Sequence, residues 1–193
     1  MAGVIMAGTT TRRSVVRLAE RETTAHRVPD DLAVEAPLLL SLGGTVIATL
    51  MRTPGHDLEL TAGWLLVESG VRAAEDVVRL RQCWQDELDR VHITLAPQVR
   101  PPQPRAYLTS AACGVCSADV LDLAMLAHTA PHRTGWQVRS DVVAGLPEAM
   151  RPRQRAFSRT GAVHAAALAA PDGTLAVVRE DVGRHNAVDK VFG

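Results

Sequence analysis

The sequence predicts an α/β protein, and three stretches carry that prediction. Leu38 to Leu42, Gly43-Gly44 and Thr45 to Met51 read as two apolar strands joined by a glycine turn, with helical periodicity following from Asp57 to Glu68. Thr109 to Ser117 places two cysteines, Cys113 and Cys116, where an extended segment ending in Tyr107 and Leu108 meets a helical pattern. Val163 to Arg179 reads as a second, largely apolar hairpin and runs directly into a dense polar box, Glu180 to Lys190.

Composition bounds the function. The 193 residues hold 21 Lys+Arg and 21 Asp+Glu, so no overall charge draws the chain to nucleic acid or to an anionic membrane. Aromatic residues are 3%, too few for base-stacking platforms, while 47% hydrophobic content suits a globular core. The longest apolar runs, such as Ala165 to Ala170, are far too short to span a bilayer. No charged region followed by an apolar run and cleavage site is visible, so three cysteines point to free thiols in a reducing cytoplasm.

Taken in order, residues 1–11 lack any period, and 1–30 is expected to be flexible apart from a strand at Ser14 to Leu18. Glu20 to Asp31 is polar and shows little pattern. A small α+β portion over 31–96 begins with the glycine-turn hairpin, which Thr53-Pro54-Gly55 ends. Asp57 is placed to cap the following helix, and Ser69-Gly70 to stop it. Val77 to Trp84 and Arg90 to Leu95 predict two strands across the acidic turn Asp86 to Asp89. Four of the 11 prolines fall between Pro97 and Pro104, a density no regular element survives, which makes 97–105 a linker.

The second portion, 106–193, opens with the cysteines. Ser117 and Asp119 start a helix that runs from Ala118 to about His128, and another helix falls within Asp141 to Met150. A thiol at a helix N-terminus faces unpaired N–H groups and the positive end of the dipole, both favouring thiolate. Lowering its pKa from near 8.5 to about 7 raises the thiolate fraction at pH 7 from roughly 3% to roughly half. Spacing alone leaves three uses open: thiol chemistry, half of a zinc site, and two buried small hydrophobes. A zinc site would need His128 and His132 as its other ligands, and Pro131 between them disfavours the continuous helix that would align both rings. No bound metal is therefore expected.

Read as one helix, Glu180 to Lys190 places Glu180 with Arg184, Asp181 with His185, and His185 in turn with Asp189, at i,i+4 spacing, with Val188, Val191 and Phe192 as the buried stripe. Eight of its eleven residues are glycine or carry a side chain able to charge or hydrogen-bond, which suits an anionic ligand better than plain solvation. Arg159-Thr160-Gly161 reads as a phosphate-contacting turn before His164, itself more often a satisfied core histidine.

Ser110 to Cys116 and the Glu180–Lys190 box together resemble the formate dehydrogenase accessory sulfurtransferases, the FdhD family. Met51-Arg52-Thr53-Pro54, the Glu59 to Glu68 helix, and Thr160-Gly161 with His164 to Ala166 extend the resemblance from about Glu35 to Gly193. It implies a cytidine-deaminase-like three-layer α/β/α sandwich, preceded by a smaller β-containing portion. It also implies a cytoplasmic sulfurtransferase: Cys113 takes persulfide sulfur from a cysteine desulfurase, with Cys116 as its neighbour. The sulfur then passes to the molybdenum bis-guanine-dinucleotide cofactor needed by formate dehydrogenase. Thr160, Gly161, His164, Asp181, Arg184 and His185 are the expected cofactor contacts, and a homodimer is left open. The chain departs from the family at Ser117 and Ala162, where glycines are usual, and it stops at Gly193 before the family's further strands and helices. A shortened member with an incomplete sheet is thus expected. A zinc deaminase is excluded, because Ala112 replaces the motif's proline, His164 lies downstream, and Ala166 stands in place of the glutamate. The alternatives are a cofactor-handling assembly module without catalysis and a zinc-binding C-x-x-C domain.

Overall fold

The computed structural model describes residues 8–18, 25–83, 88–102 and 137–193. A mixed α/β arrangement is observed, as the sequence predicts. In chain order come β1 (Thr10–Arg17), β2 (His26–Ala33), β3 (Ala36–Leu42), β4 (Thr45–Arg52), α1 (Asp57–Glu68), β5 (Val77–Cys83) and β6 (Asp89–Leu95). After the undescribed stretch follow α2 (Ser140–Met150), α3 (Arg155–Thr160), β7 (His164–Ala169), β8 (Leu175–Asp181) and α4 (Arg184–Phe192).

The central sheet has the order β4-β3-β6-β5, with β3 and β6 parallel and the two outer pairs antiparallel. Gly43 and Gly44 turn the β3–β4 hairpin with φ of 57° and 84°, a left-handed conformation that side chains with a Cβ rarely adopt. The apolar positions of β3, β4 and β6 pack against α1: Leu38, Leu40, Leu50, Leu60, Leu65 and Val91 are at most 2% exposed. Polar groups are buried in this layer too, Ser41 among them. The Ser41 hydroxyl, beside an irregularity in the β3–β4 pairing, lies 2.9 Å from His92 Nδ1 on β6 and is thereby satisfied.

Three local expectations differ from the structure. The segment 20–31 contains most of a regular strand, β2, which pairs with β1 along its whole length from Thr10↔Ala33 to Arg17↔His26. Its alternation is invisible in sequence because this ribbon is half-open to solvent on both faces, so neither face demands apolar residues. Asp57 does not cap α1. The cap position is His56, at φ 56° and without a side-chain cap bond, because the Asp57 carboxylate is taken by Arg52 and Gln82. Asp57 and Glu59 still lie in the first turn, where negative charge meets the positive end of the helix dipole.

The third difference is at the C-terminal box, which is not one helix. Strand β8 continues through Glu180 to Asp181, a turn follows, and α4 begins only at Arg184. The i,i+4 pairs of Glu180 with Arg184 and Asp181 with His185 therefore do not form. With the helix starting later, its buried side is Ala187 and Lys190, while Val188 and Phe192 are 43% and 66% exposed. Helix α4 lies against α1 so closely that a Cβ on Gly63 would come within 2.0 Å of the Asp189 carbonyl oxygen. Glycine at 63 is what permits that approach.

Candidate functional site

The site is built where the β7–β8 hairpin ends. Helix α3 closes at Gly161, which takes φ 64° as its left-handed C-terminal cap, and the chain enters β7 at His164. Across the ladder His164 faces Asp181, the last residue of β8, and Arg184 and His185 open α4 immediately afterwards. Topology thus gathers Thr160, Gly161, His164, Asp181, Arg184 and His185 around one end of the hairpin. Their environments differ. His164, Arg184 and His185 are exposed, whereas Asp181 is fully buried. Thr160 Oγ1 donates to the Ala156 carbonyl and accepts from Ala162 N, so its hydroxyl shapes the turn at the negative end of α3.

Asp181 organises this end. One oxygen accepts from the peptide N–H of Thr53 at 3.1 Å and meets the Lys190 ammonium at 2.7 Å. The other accepts from Gly183 N at 2.8 Å and Asn186 Nδ2 at 3.1 Å. Lys190 also donates to the Thr53 carbonyl, Asn186 to the Met51 carbonyl, and Val182 N to Thr53 Oγ1. The polar box is therefore riveted to the Met51-Arg52-Thr53-Pro54 segment more than 120 positions away. Burial pulls the Lys190 pKa below its ordinary value, against the Asp181 charge that holds it up. Glu180 adds a further tie: its two carboxylate oxygens accept the N–H groups of Ala156 and Phe157 at 2.9 and 2.7 Å and so cap α3.

A second buried charge group supports the first. Arg52, 0% exposed, makes a two-pronged pair with Asp57 at 3.0 and 2.9 Å and reaches Asp89 and the Ala36 carbonyl. Burial disfavours its charge, but Asp57 and Asp89 outweigh that and raise its pKa. Sequence reasoning missed Thr53, Asn186 and Lys190 as parts of the site. The available signal was a lysine at the position where α4's buried face falls once the helix start is known.

Asp189 lies at the α1–α4 contact, where burial first, then the charges of Glu68 and Asp181, push its carboxyl up to about 7. The folded protein holds this proton to about pH 7, while an unfolded chain releases it near pH 4. This group alone therefore makes the fold less stable as pH rises from about 4 to about 7 and adds no further change above. Asp189→Asn should flatten that part of a stability–pH profile measured by urea unfolding, and an unchanged slope would refute the assignment.

Cys113, Cys116, His128 and His132 lie outside the described residues. Among the described residues no group of three His, Cys, Asp or Glu side chains is arranged to hold a metal. No helix among them is long and apolar enough to cross a membrane.

The described residues thus form a mixed α/β scaffold with a buried lysine–aspartate rivet beneath an exposed Arg184-His185 pair. Residues 33–193 match the FdhD/NarQ family, and the chain belongs to that family. It is similar to the sulfur carrier protein FdhD of Nocardia farcinica, 45% identical over 190 residues, which covers 95% of this chain and 67% of the relative. The protein of the same name from Mycobacterium bovis is 40% identical over 178 residues, covering 86% of this chain and 64% of its own length. In fold the chain resembles the crystal structure of a formate dehydrogenase accessory protein from Desulfotalea psychrophila, with a TM-score of 0.72 at 23% identity. That likeness covers 95% of this chain and 68% of the solved one. The chain thus spans about two thirds of the length of its relatives.

Proposed function

We propose that this chain carries sulfur as a persulfide on Cys113 and delivers it to the molybdenum bis-guanine-dinucleotide cofactor of a formate dehydrogenase. The observation that carries the reading is the C-x-x-C of Cys113 and Cys116 in a chain 45% identical to a protein named a sulfur carrier. The Cys113 thiolate attacks the outer sulfur of a cysteine desulfurase persulfide. A new S–S bond forms on Cys113, the desulfurase S–S bond breaks, and the desulfurase cysteine leaves as thiolate. Attack by the Cys116 thiolate on the Cys113 sulfur then expels hydrosulfide, with the two cysteines oxidised to a disulfide as the carried sulfur is reduced. The soft sulfur anion is a good ligand for molybdenum.

The cofactor's guanine dinucleotides carry phosphates, and the start of α4 is suited to them. Basic side chains at a helix N-terminus are ordinarily unfavourable, yet Arg184 and His185 occupy it and are exposed, beside first-turn N–H groups that no helix satisfies internally. An anion placed there resolves both mismatches. His164 and Thr160 flank the same end of the hairpin, and Asp181 holds the turn beneath it. The cysteine desulfurase and the formate dehydrogenase are the partners this reading requires.

Radiosulfur transfer from a desulfurase and cysteine tests it. Cys113→Ser should abolish the label and Cys83→Ser should leave it intact; equal labelling of the Cys113→Ser protein would reject Cys113 as the carrier.

A further inference from the structure

The β1–β2 ribbon is a sheet of its own, separate from the four-stranded one. No residue of either strand is buried. A lone two-stranded ribbon is marginally stable in water, and an unpaired strand edge presents a row of free N–H and C=O groups. The two outer edges differ. Strand β2 carries Pro29, whose missing N–H must face away from β1 for the pairing to hold, so its outer edge lacks a donor. Strand β1, Thr10 to Arg17, contains no proline and is rich in β-branched residues. Among the described residues no strand pairs with its outer edge.

That edge has a defined chemistry. Arg12 and Arg13 are exposed, point to opposite faces of the ribbon, and make no hydrogen bond or ion pair among the described residues. The acids across the ladder are already engaged. Asp30, opposite Arg13, accepts from Arg17 at 3.2 Å, and Asp31, opposite Arg12, pairs with Arg159 of α3 at 3.2 Å. Val16 and Leu18, 52% and 74% exposed, follow the arginines along the chain. Guanidinium groups next to exposed aliphatic side chains suit a protein surface, and neither strand has an aromatic residue on which a base could stack. A second copy of β1 would bring three more arginines to the same edge, and like charges facing each other across a ladder are destabilising.

We propose that the outer edge of β1 accepts an extended, acidic segment of a partner protein as a third strand. Main-chain hydrogen bonds supply affinity in that mode of recognition, and side-chain pairs supply selection. On each face the incoming side chains stand about 5 Å from those of β1, so carboxylates meet Arg12 and Arg13 while apolar residues meet Val15 and Val16. The inference rests on the ribbon and not on the thiol chemistry.

Fluorescence anisotropy of the whole chain with a labelled peptide repeating Glu-Glu-Val-Val tests it. This peptide should bind saturably, once per chain, and the same peptide with lysine in place of glutamate should not. N-methylation of the peptide backbone keeps every side chain but removes the ladder donors, and should weaken binding by about tenfold or more. Arg12→Glu/Arg13→Glu, at exposed positions, should weaken the glutamate peptide by about tenfold or more and confer binding of the lysine peptide. Arg79→Glu, on the edge strand β5, should change the affinity less than about twofold. Cys113→Ser should bind like the parent, which separates failure of this surface from failure of the sulfur-carrier reading. Absence of saturable binding would overturn the proposal, as would full binding of the methylated peptide or an Arg79→Glu loss equal to that of the β1 variant. Tighter binding of oligodeoxythymidine or of phosphatidylserine vesicles than of the peptide would make the ribbon a phosphate-binding surface and would overturn it as well.

Discussion

Asp181→Ala will destabilise the fold by about 3–5 kcal/mol, the usual cost of removing one partner from a buried ion pair. The side chains of Lys190 and Asp181 are 1% and 0% exposed, so bulk solvent does not screen the ammonium left behind. The substitution strands an ammonium whose pKa burial already lowers, and it leaves Thr53 N, Gly183 N and Asn186 Nδ2 without the acceptor they share. At about 2–4 °C per kcal/mol for a chain of this size, the melting temperature should fall by roughly 6–20 °C. Asp181→Ala/Lys190→Met should recover part of that loss, because it removes the unpaired charge as well as its partner. The two are separated from a general packing defect by this rescue. A single-variant loss below about 1 kcal/mol would mean that the rivet is not what joins the C-terminal box to the Thr53 segment.

Arg52→Met should cost a similar amount, about 3–5 kcal/mol, for a related reason. Asp57, 5% exposed, would keep only Gln82 among its present side-chain partners, and Asp89 would lose its ion pair. Since Arg52 joins the end of β4 to the first residue of α1 and to the start of β6, the loss would be felt in the core sheet and not only locally. Arg52→Lys is informative here. An ammonium keeps the charge but cannot make the two-pronged contact with Asp57 while also reaching Asp89 and the Ala36 carbonyl. Intermediate stability of the lysine variant by urea unfolding is the expected result, and full stability would show that charge alone suffices.

Strands and helices that bury one side were legible because burial writes itself into composition. The β3–β4 hairpin has apolar runs and a Gly43-Gly44 turn, and α1 repeats Leu60, Trp64 and Leu65 on one face. The β7–β8 hairpin and the helix within 141–150 were also legible, although that helix buries no residue among the described ones. Strand β2 was not, since a solvent-exposed ribbon needs no apolar alternation. Asp57 was legible as a helix-start residue, but its job as a counter-ion depends on Arg52, which competes for the same oxygens.

Local sequence determined that this is an α/β chain, and that a C-x-x-C motif and a polar box mark its second half. It also carried enough of the box to identify the family, because those residue types at that spacing are specific. Where the box changes from strand to helix was decided only in three dimensions. Read alone, Glu180 to Lys190 favours its own i,i+4 pairs, each worth a few tenths of a kcal/mol. The fold instead offers Asp181 two peptide N–H groups, an amide and a buried ammonium at once, and Glu180 the open end of α3. Several hydrogen bonds formed away from water outweigh one exposed pair per residue. For that reason the box bends at Val182 and Gly183, turns Lys190 inward, and leaves Arg184 and His185 facing solvent.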